Sequence, residues 1–179
     1  MCSRTLFNEV FYREYRGLRE DWLRREAEGL FEQVFQRRIF PGARTLLQAD
    51  RDAGFRPVLV TGSPDFAVGP IARHLGFEDV IANTLVFENG VATGAIRPPI
   101  LAAEEKAGAM HRLAAGYNVG TERCKAYSDS ISDLPMLLCV GQPVAVNPDR
   151  RLAREARRRG WPILDLKRTR RADPDGNSD

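Results

Sequence analysis

Lys125-Ala126-Tyr127-Ser128-Asp129-Ser130-Ile131-Ser132-Asp133-Leu134-Pro135 decides how this chain folds. Lys125 to Ser128 read as a short strand, and Leu134-Pro135 opens a helix that runs to Cys139. Between them stand two carboxylates, Asp129 and Asp133, separated by small hydroxylic residues that let the backbone turn sharply. Carboxylates at the C-terminal end of a strand face the crevice where α/β sheets bind ligands, and magnesium takes one or two carboxylates with water and phosphate. Asp129 or Ser130 would serve equally well as the N-cap of the following helix, so this stretch alone leaves both readings open.

Working toward the N-terminus, Pro57-Val58-Leu59-Val60 is a brief apolar strand that stops at Thr61-Gly62-Ser63. Ala43, Leu46, Leu47 and Ala53 mark an amphipathic helix before it, and Phe66, Val68, Ile71, Ala72 and Leu75 another after it, closed by Gly76. Helix, strand and helix in that order are the crossover unit of a parallel α/β sheet. The Thr61 hydroxyl and the Gly62 and Ser63 amides lie at a helix N-terminus, an arrangement that cradles anions; the dipole alone contributes about 0.3–1 kcal/mol. Thr-Gly-Ser before a helix is also an ordinary cap. Lys106 lies in the first turn of a helix spanning Glu104 to Tyr117, where the dipole disfavours a cation and an anion within reach would favour it. An anion cradle, a lysine and a carboxylate pair are the parts that phosphoryl transfer uses.

The rest of the chain is consistent with one such domain. Val80, Ile81, Leu85, Val86 and Phe87 alternate with polar residues before Asn89-Gly90, which predicts a small antiparallel hairpin excursion over 79–96. Val144 to Val146 and Ile163-Leu164 read as strands around a basic helix, with Asn147 and Pro148 suited to its cap and first position. Thr5 to Arg38 carry helical apolar spacings, interrupted at Gly17. The resulting division is a partial helical cap over 1–40, a core over 41–166 and a disordered charged tail over 167–179.

At 179 residues and 43% hydrophobic content the chain can bury a core, and its net charge is +3. The runs Arg157-Arg158-Arg159 and Lys167 to Arg171 lack interleaved aromatics, which argues for a solvated helix face and tail rather than a nucleic-acid surface. Cys2, Cys124 and Cys139 have neither pairing nor zinc spacing and read as free thiols of a cytoplasmic protein. No apolar run has the length of a membrane span or the form of a signal peptide.

The succession Val-Leu-Val-Thr61-Gly-Ser, Glu-Glu-Lys106 and Tyr-Ser-Asp129-Ser-Ile-Ser-Asp133-Leu-Pro resembles motifs two, three and four of the haloacid dehalogenase-like hydrolases. It is most similar to subclass IB, the branch that contains phosphoserine phosphatase. The similarity runs from about Phe40 to Leu166. It implies a three-layer Rossmann-like parallel sheet with a helical cap inserted after the first strand, and a magnesium-dependent phosphatase acting on a small phosphomonoester through an aspartyl-phosphate. It further implies that Thr61, with Gly62 and Ser63, binds the phosphoryl group, that Lys106 holds it, that Asp129 ligates Mg2+, and that Asp133 supports the metal from behind.

The first motif of that family, a strand ending in Asp-x-Asp, has no counterpart before Thr61. Asp173-Pro174-Asp175 has the spacing but follows no apolar strand, and Asp165 lacks a second carboxylate. The chain is therefore expected to start inside the cap and to be nearly inactive as written, because losing a covalent nucleophile costs on the order of a millionfold in turnover. The resemblance places the missing strand between those that carry Thr61 and Asp129. These must then close on each other or leave facing edges unpaired. The alternative function is a non-enzymatic protein that binds a phospholigand or a partner.

Overall fold

The computed structural model, which describes residues 10–166, is a mixed α/β fold with two three-stranded sheets. The first has the order β1 (Val58–Pro64), β2 (Asp79–Glu88), β3 (Val91–Arg97), and the second β4 (Lys125–Ser128), β5 (Gln142–Val146), β6 (Ile163–Leu164). β1 and β2 are parallel, β2 and β3 form an antiparallel hairpin, and β4, β5 and β6 are all parallel. Helices α1 (Glu20–Leu30), α2 (Pro41–Asp52), α3 (Asp65–Leu75), α4 (Ala103–Gly116), α5 (Leu134–Leu138) and α6 (Arg150–Arg159) connect and cover them. This is the Rossmann-like alternation expected from the crossover pattern.

β1 and β4 do not pair with each other. Between them lies a cavity of about 1160 Å³, walled by Val58, Leu59 and Val60 on one side and by Lys125, Ala126 and Tyr127 on the other. Of the two outcomes open to the facing edges, the described residues show the unpaired one. The walls are kept apart by packing on both faces. Asp50 of α2, only 8% exposed, accepts hydrogen bonds from Lys125 Nζ and Tyr127 Oη, each at 2.7 Å, and so links the helix before β1 to β4. Burial, then the adjacent Asp50 carboxylate, push the Tyr127 phenol well above its ordinary pKa, so it stays a donor. On the other face α4 packs against β1, and its Met110 shares a core with Ala126, Leu137, Ala145 and Leu152.

A second core joins Tyr12, Leu23 and Ala27 to Phe66, Leu85 and Ala92, so the N-terminal helical segment is seated on α3 and the hairpin. Tyr15 stands edge-on to Phe66 with ring centroids 5.5 Å apart. Gly17 does interrupt the helix, at φ +86°, a value that favours glycine. It also begins a stretch that runs along β3: Gly17 N donates to Ala92 O, Ala92 N to Leu18 O and Glu20 N to Gly90 O. α1 then loosens through Phe31–Phe35 and tightens through Gln36–Arg38 before α2 starts at Pro41.

Two local expectations are corrected. The stretch opening at Asp79 belongs to the parallel sheet first, pairing Val58 with Asp79 and Val60 with Ile81, and only its second half forms the hairpin. Period-two alternation looks the same for either partner, so it did not reveal the first pairing. The N-cap of α6 is Asp149, whose carboxylate accepts from Arg151 N and Leu152 N. Asn147 instead adopts φ +43° and uses its side chain to accept from Leu166 N at 2.9 Å. The expected helix start at Thr5, the Cys2 thiol and the tail over 167–179 lie outside the described residues.

Gly141 is a position where the fold tolerates no side chain. An added Cβ would sit 1.8 Å from Glu122 O, a backbone atom in the turn leading to β4. Gly141→Ala should therefore destabilise by about 1–3 kcal/mol. The expected observation is a lower urea midpoint with an unchanged m-value.

Candidate active site

The loop after β4 is organised by its own hydroxyl groups. Ser130 N donates to Ser128 Oγ at 3.1 Å, Ser132 N to Ser130 Oγ, and Asp133 N to Ser130 O at 3.0 Å. Ser130 is thus the cap of the short turn Ile131–Asp133, and capping does not consume the Asp129 carboxylate. Asp129 is exposed at the end of β4 and lines the cavity. Asp133 turns inward, 8% exposed, with both oxygens engaged: Oδ1 accepts from Lys106 Nζ at 2.7 Å and Oδ2 from Ser128 Oγ at 2.9 Å.

Lys106, Asp133 and Ser128 therefore form one buried network that brings the start of α4 to the end of β4. Thr61 follows the cavity-lining Val60 in β1, where the pairing register shifts between Val60 and Pro64, and like Lys106 and Asp133 it is not among the residues that line the cavity with Asp129. Its Oγ1 accepts from Ser63 N at 3.1 Å, so the Ser63 amide is turned onto the threonine hydroxyl. Among the described residues no hydrogen bond joins Thr61 to the Lys106 network. α4 spans the distance, packing on β1 and contacting the Ile131–Asp133 turn.

Asp149 was not singled out from the sequence, yet it fixes this loop. Its N–H donates to Asp129 O at 2.7 Å, and its Oδ2 accepts from Ile131 N at 2.9 Å. Backbone hydrogen bonds, first from Leu152 and then from Ile131, lower its pKa. A depressed carboxyl pKa stabilises the fold above the unfolded-state value, and that stability is lost as pH falls through the folded one. Asp149→Ala is expected to remove about 0.5–2 kcal/mol at neutral pH, as for other N-cap losses. The difference from the parent should shrink in acid, which urea titrations at both conditions would measure.

Ser128, Asp50 and Lys125 were also not singled out by sequence. Their signal was faint: β4 alternates Lys125 and Tyr127 with Ala126 and Ser128, and a polar residue on each face of a short strand asks for a buried partner.

As a metal site the chain supplies part of what is needed. Among the described residues no group of three or more His, Cys, Asp or Glu side chains is placed to hold a metal ion. Asp133 is taken up by Lys106 and Ser128, which leaves Asp129 as one hard oxygen arm suited to magnesium. No helix among the described residues is long and apolar enough to cross a membrane.

Residues 1–138 match the family of haloacid dehalogenase-like hydrolases. A phosphoserine phosphatase of Mycobacterium tuberculosis is 39% identical over 145 residues, which are 81% of this chain and 47% of that protein. A histidinol-phosphatase of Neisseria meningitidis is 30% identical over 89% of this chain and 82% of its own length. A solved structure of a protein of unknown function from Bordetella pertussis superposes with a TM-score of 0.84 at 27% identity, covering 93% of this chain and 75% of that one. The chain spans about half the length of the mycobacterial relatives it matches. A family match over most of the chain, together with the identity to the histidinol-phosphatase, leads to one assignment: this chain belongs to the haloacid dehalogenase-like hydrolases.

Proposed function

We propose that this chain carries the phosphate-gripping side of a magnesium-dependent phosphomonoesterase. The observation that supports this most directly is the buried Lys106–Asp133–Ser128 network, because a lysine held by one carboxylate oxygen keeps N–H donors for an anion. In this reading Thr61 donates its hydroxyl to a phosphoryl oxygen, with Gly62 and Ser63 shaping the turn. Lys106 neutralises the transferred group and Asp133 holds Lys106 in place. Asp129 would hold the magnesium ion, whose chemistry when bound is to neutralise phosphoryl oxygens as charge develops on them.

The substrate class is a small phosphomonoester, as the names of the phosphoserine and histidinol phosphatases suggest. The reaction through an aspartyl-phosphate requires a strand ending in Asp-x-Asp, and the 179 residues contain none that follows an apolar strand, so the chain by itself should be close to inactive. The second reading is a protein that binds a phospholigand without turning it over. The free thiols of Cys124 and Cys139 suit a reducing compartment and support a cytoplasmic location.

Phosphate binding tests the gripping site directly. Inorganic phosphate with magnesium should raise the Tm of the chain, with stabilisation of about 2.7 kcal/mol once phosphate reaches a hundredfold excess over Kd. Thr61→Val should weaken that shift. Equal melting with and without phosphate would end the proposal.

A further inference from the structure

Asn83 of β2 is 0% exposed, and both ends of its amide are in use. Its Nδ2 donates to Gly62 O at 2.8 Å, and its Oδ1 accepts from Leu101 N at 2.7 Å. Gly62 follows Thr61 within β1, and Leu101 lies just before α4, whose first turn presents Lys106. One buried side chain therefore ties together the two segments that carry the anion-binding groups. The partners on its two sides also define which end of the amide is oxygen and which nitrogen, since a backbone N–H must meet the oxygen and a carbonyl the nitrogen.

The Gly62 carbonyl has a second donor. Tyr12, 1% exposed and carried by the helical residues 10–13, gives its hydroxyl to the same oxygen at 3.2 Å. Burial raises the pKa of this phenol, which keeps its proton in place as a donor. A trans peptide is planar, with its C=O and N–H on opposite sides. Anchoring the Gly62 carbonyl therefore fixes the direction of the Ser63 N–H, and that N–H donates to Thr61 Oγ1. A hydroxyl that accepts from a backbone amide must direct its own proton elsewhere.

We propose that Tyr12 and Asn83 are positioning residues that act through the Gly62 carbonyl and the Ser63 amide to aim the Thr61 hydroxyl at a bound phosphate oxygen, Asn83 also setting the spacing of Thr61 from Lys106. The proposal rests on the phosphate-gripping reading above. It makes the N-terminal helical segment part of the anion site without any of its side chains touching the ligand. A shift of that segment would change phosphate affinity through one hydrogen bond.

Calorimetric titration of the full 179-residue chain with inorganic phosphate tests it. Tyr12→Phe keeps the ring packing and should weaken phosphate binding about threefold to tenfold, the worth of one hydrogen bond. Asn83→Asp, which keeps the bond from Leu101 N but faces Gly62 O with an acceptor, should weaken it by about tenfold or more. The deciding measurement is a cycle with Thr61→Val: once the hydroxyl is gone, Tyr12→Phe should cause no further loss, and Thr61→Ser should restore the effect. If Asn83→Asp does not fold, the Tyr12 and Thr61 cycle decides alone. A parent that binds no phosphate overturns the gripping site and this proposal together. A parent that binds, is weakened by Thr61→Val, and responds to Tyr12→Phe equally in both backgrounds or not at all overturns this proposal alone.

Discussion

Lys106→Met should be the most damaging conservative-sized substitution at the site, lowering stability by about 3–5 kcal/mol, because it leaves Asp133 as a buried carboxylate without its counter-charge. The two side chains are only 13% and 12% exposed, and the Ser128 hydroxyl alone cannot neutralise what the lysine leaves behind. The effect should be asymmetric. In Asp133→Asn the lysine keeps a long flexible stem along which its ammonium can move toward water, so the loss should be smaller. Adding Asp133→Asn to Lys106→Met should recover much of the stability, since the pair is then neutral and Ser128 still has an acceptor. The exposed pair Arg24–Glu20, with side chains 53% and 35% exposed, is the internal comparison, and breaking it should change stability by only about 0.3–0.5 kcal/mol. Urea midpoints at constant m-value would read all four variants. A Lys106→Met protein within about 0.5 kcal/mol of the parent would show that the pair is not desolvated as drawn.

These effects were only partly legible in the residues. Lys106, Asp129 and Asp133 could be picked out as candidates because each is a polar residue in a first helical turn or in the loop after a strand; Thr61 was expected to end its strand, whereas β1 continues past it to Pro64. The α/β class followed from the alternation of apolar strands with helices of three- and four-residue spacing. What periodicity could not supply was the partner of each group. Nothing local indicates that Lys106 meets Asp133, that Asp50 meets Lys125 across a sequence distance of 75 residues, or that Asn83 bridges Gly62 and Leu101. The cap of α6 was misplaced for a related reason: Asn147, Pro148 and Asp149 all suit a helix start, and the choice fell to Asp149 because its carboxylate also reaches Ile131 N in the neighbouring loop.

Joining an apolar strand that ends in Asp-x-Asp upstream of Met1 should have the largest effect of all, raising both stability and turnover. The cavity between β1 and β4 has the elements of a strand site: two facing strand edges that no described strand pairs with, apolar walls at Val58 to Val60 and Ala126, and helices α2 and α4 over its faces. A strand laid there would gain hydrogen bonds on both sides, each about 0.5–1.5 kcal/mol net. It would bury side chains worth about 1.5–3 kcal/mol apiece, against about 1–2 kcal/mol per residue for ordering its backbone. The balance is several kcal/mol in favour, which at about 2–4 °C per kcal/mol for a chain of this size predicts a Tm rise of roughly 10 °C or more. The same strand would bring its carboxylates toward Asp129, where no group of three or more His, Cys, Asp or Glu among the described residues is placed to hold a metal ion. Hydrolysis of O-phosphoserine, histidinol phosphate or an aryl phosphate should then exceed that of the 179-residue chain by about four to six orders of magnitude. Changing the first aspartate of the added strand to asparagine should abolish turnover and leave the Tm gain intact. That separates the contribution of the strand to the sheet from the chemistry at its end. A Tm gain with no turnover in the unsubstituted version would select the non-enzymatic reading, and no Tm gain at all would show that the gap between β1 and β4 does not accept a strand.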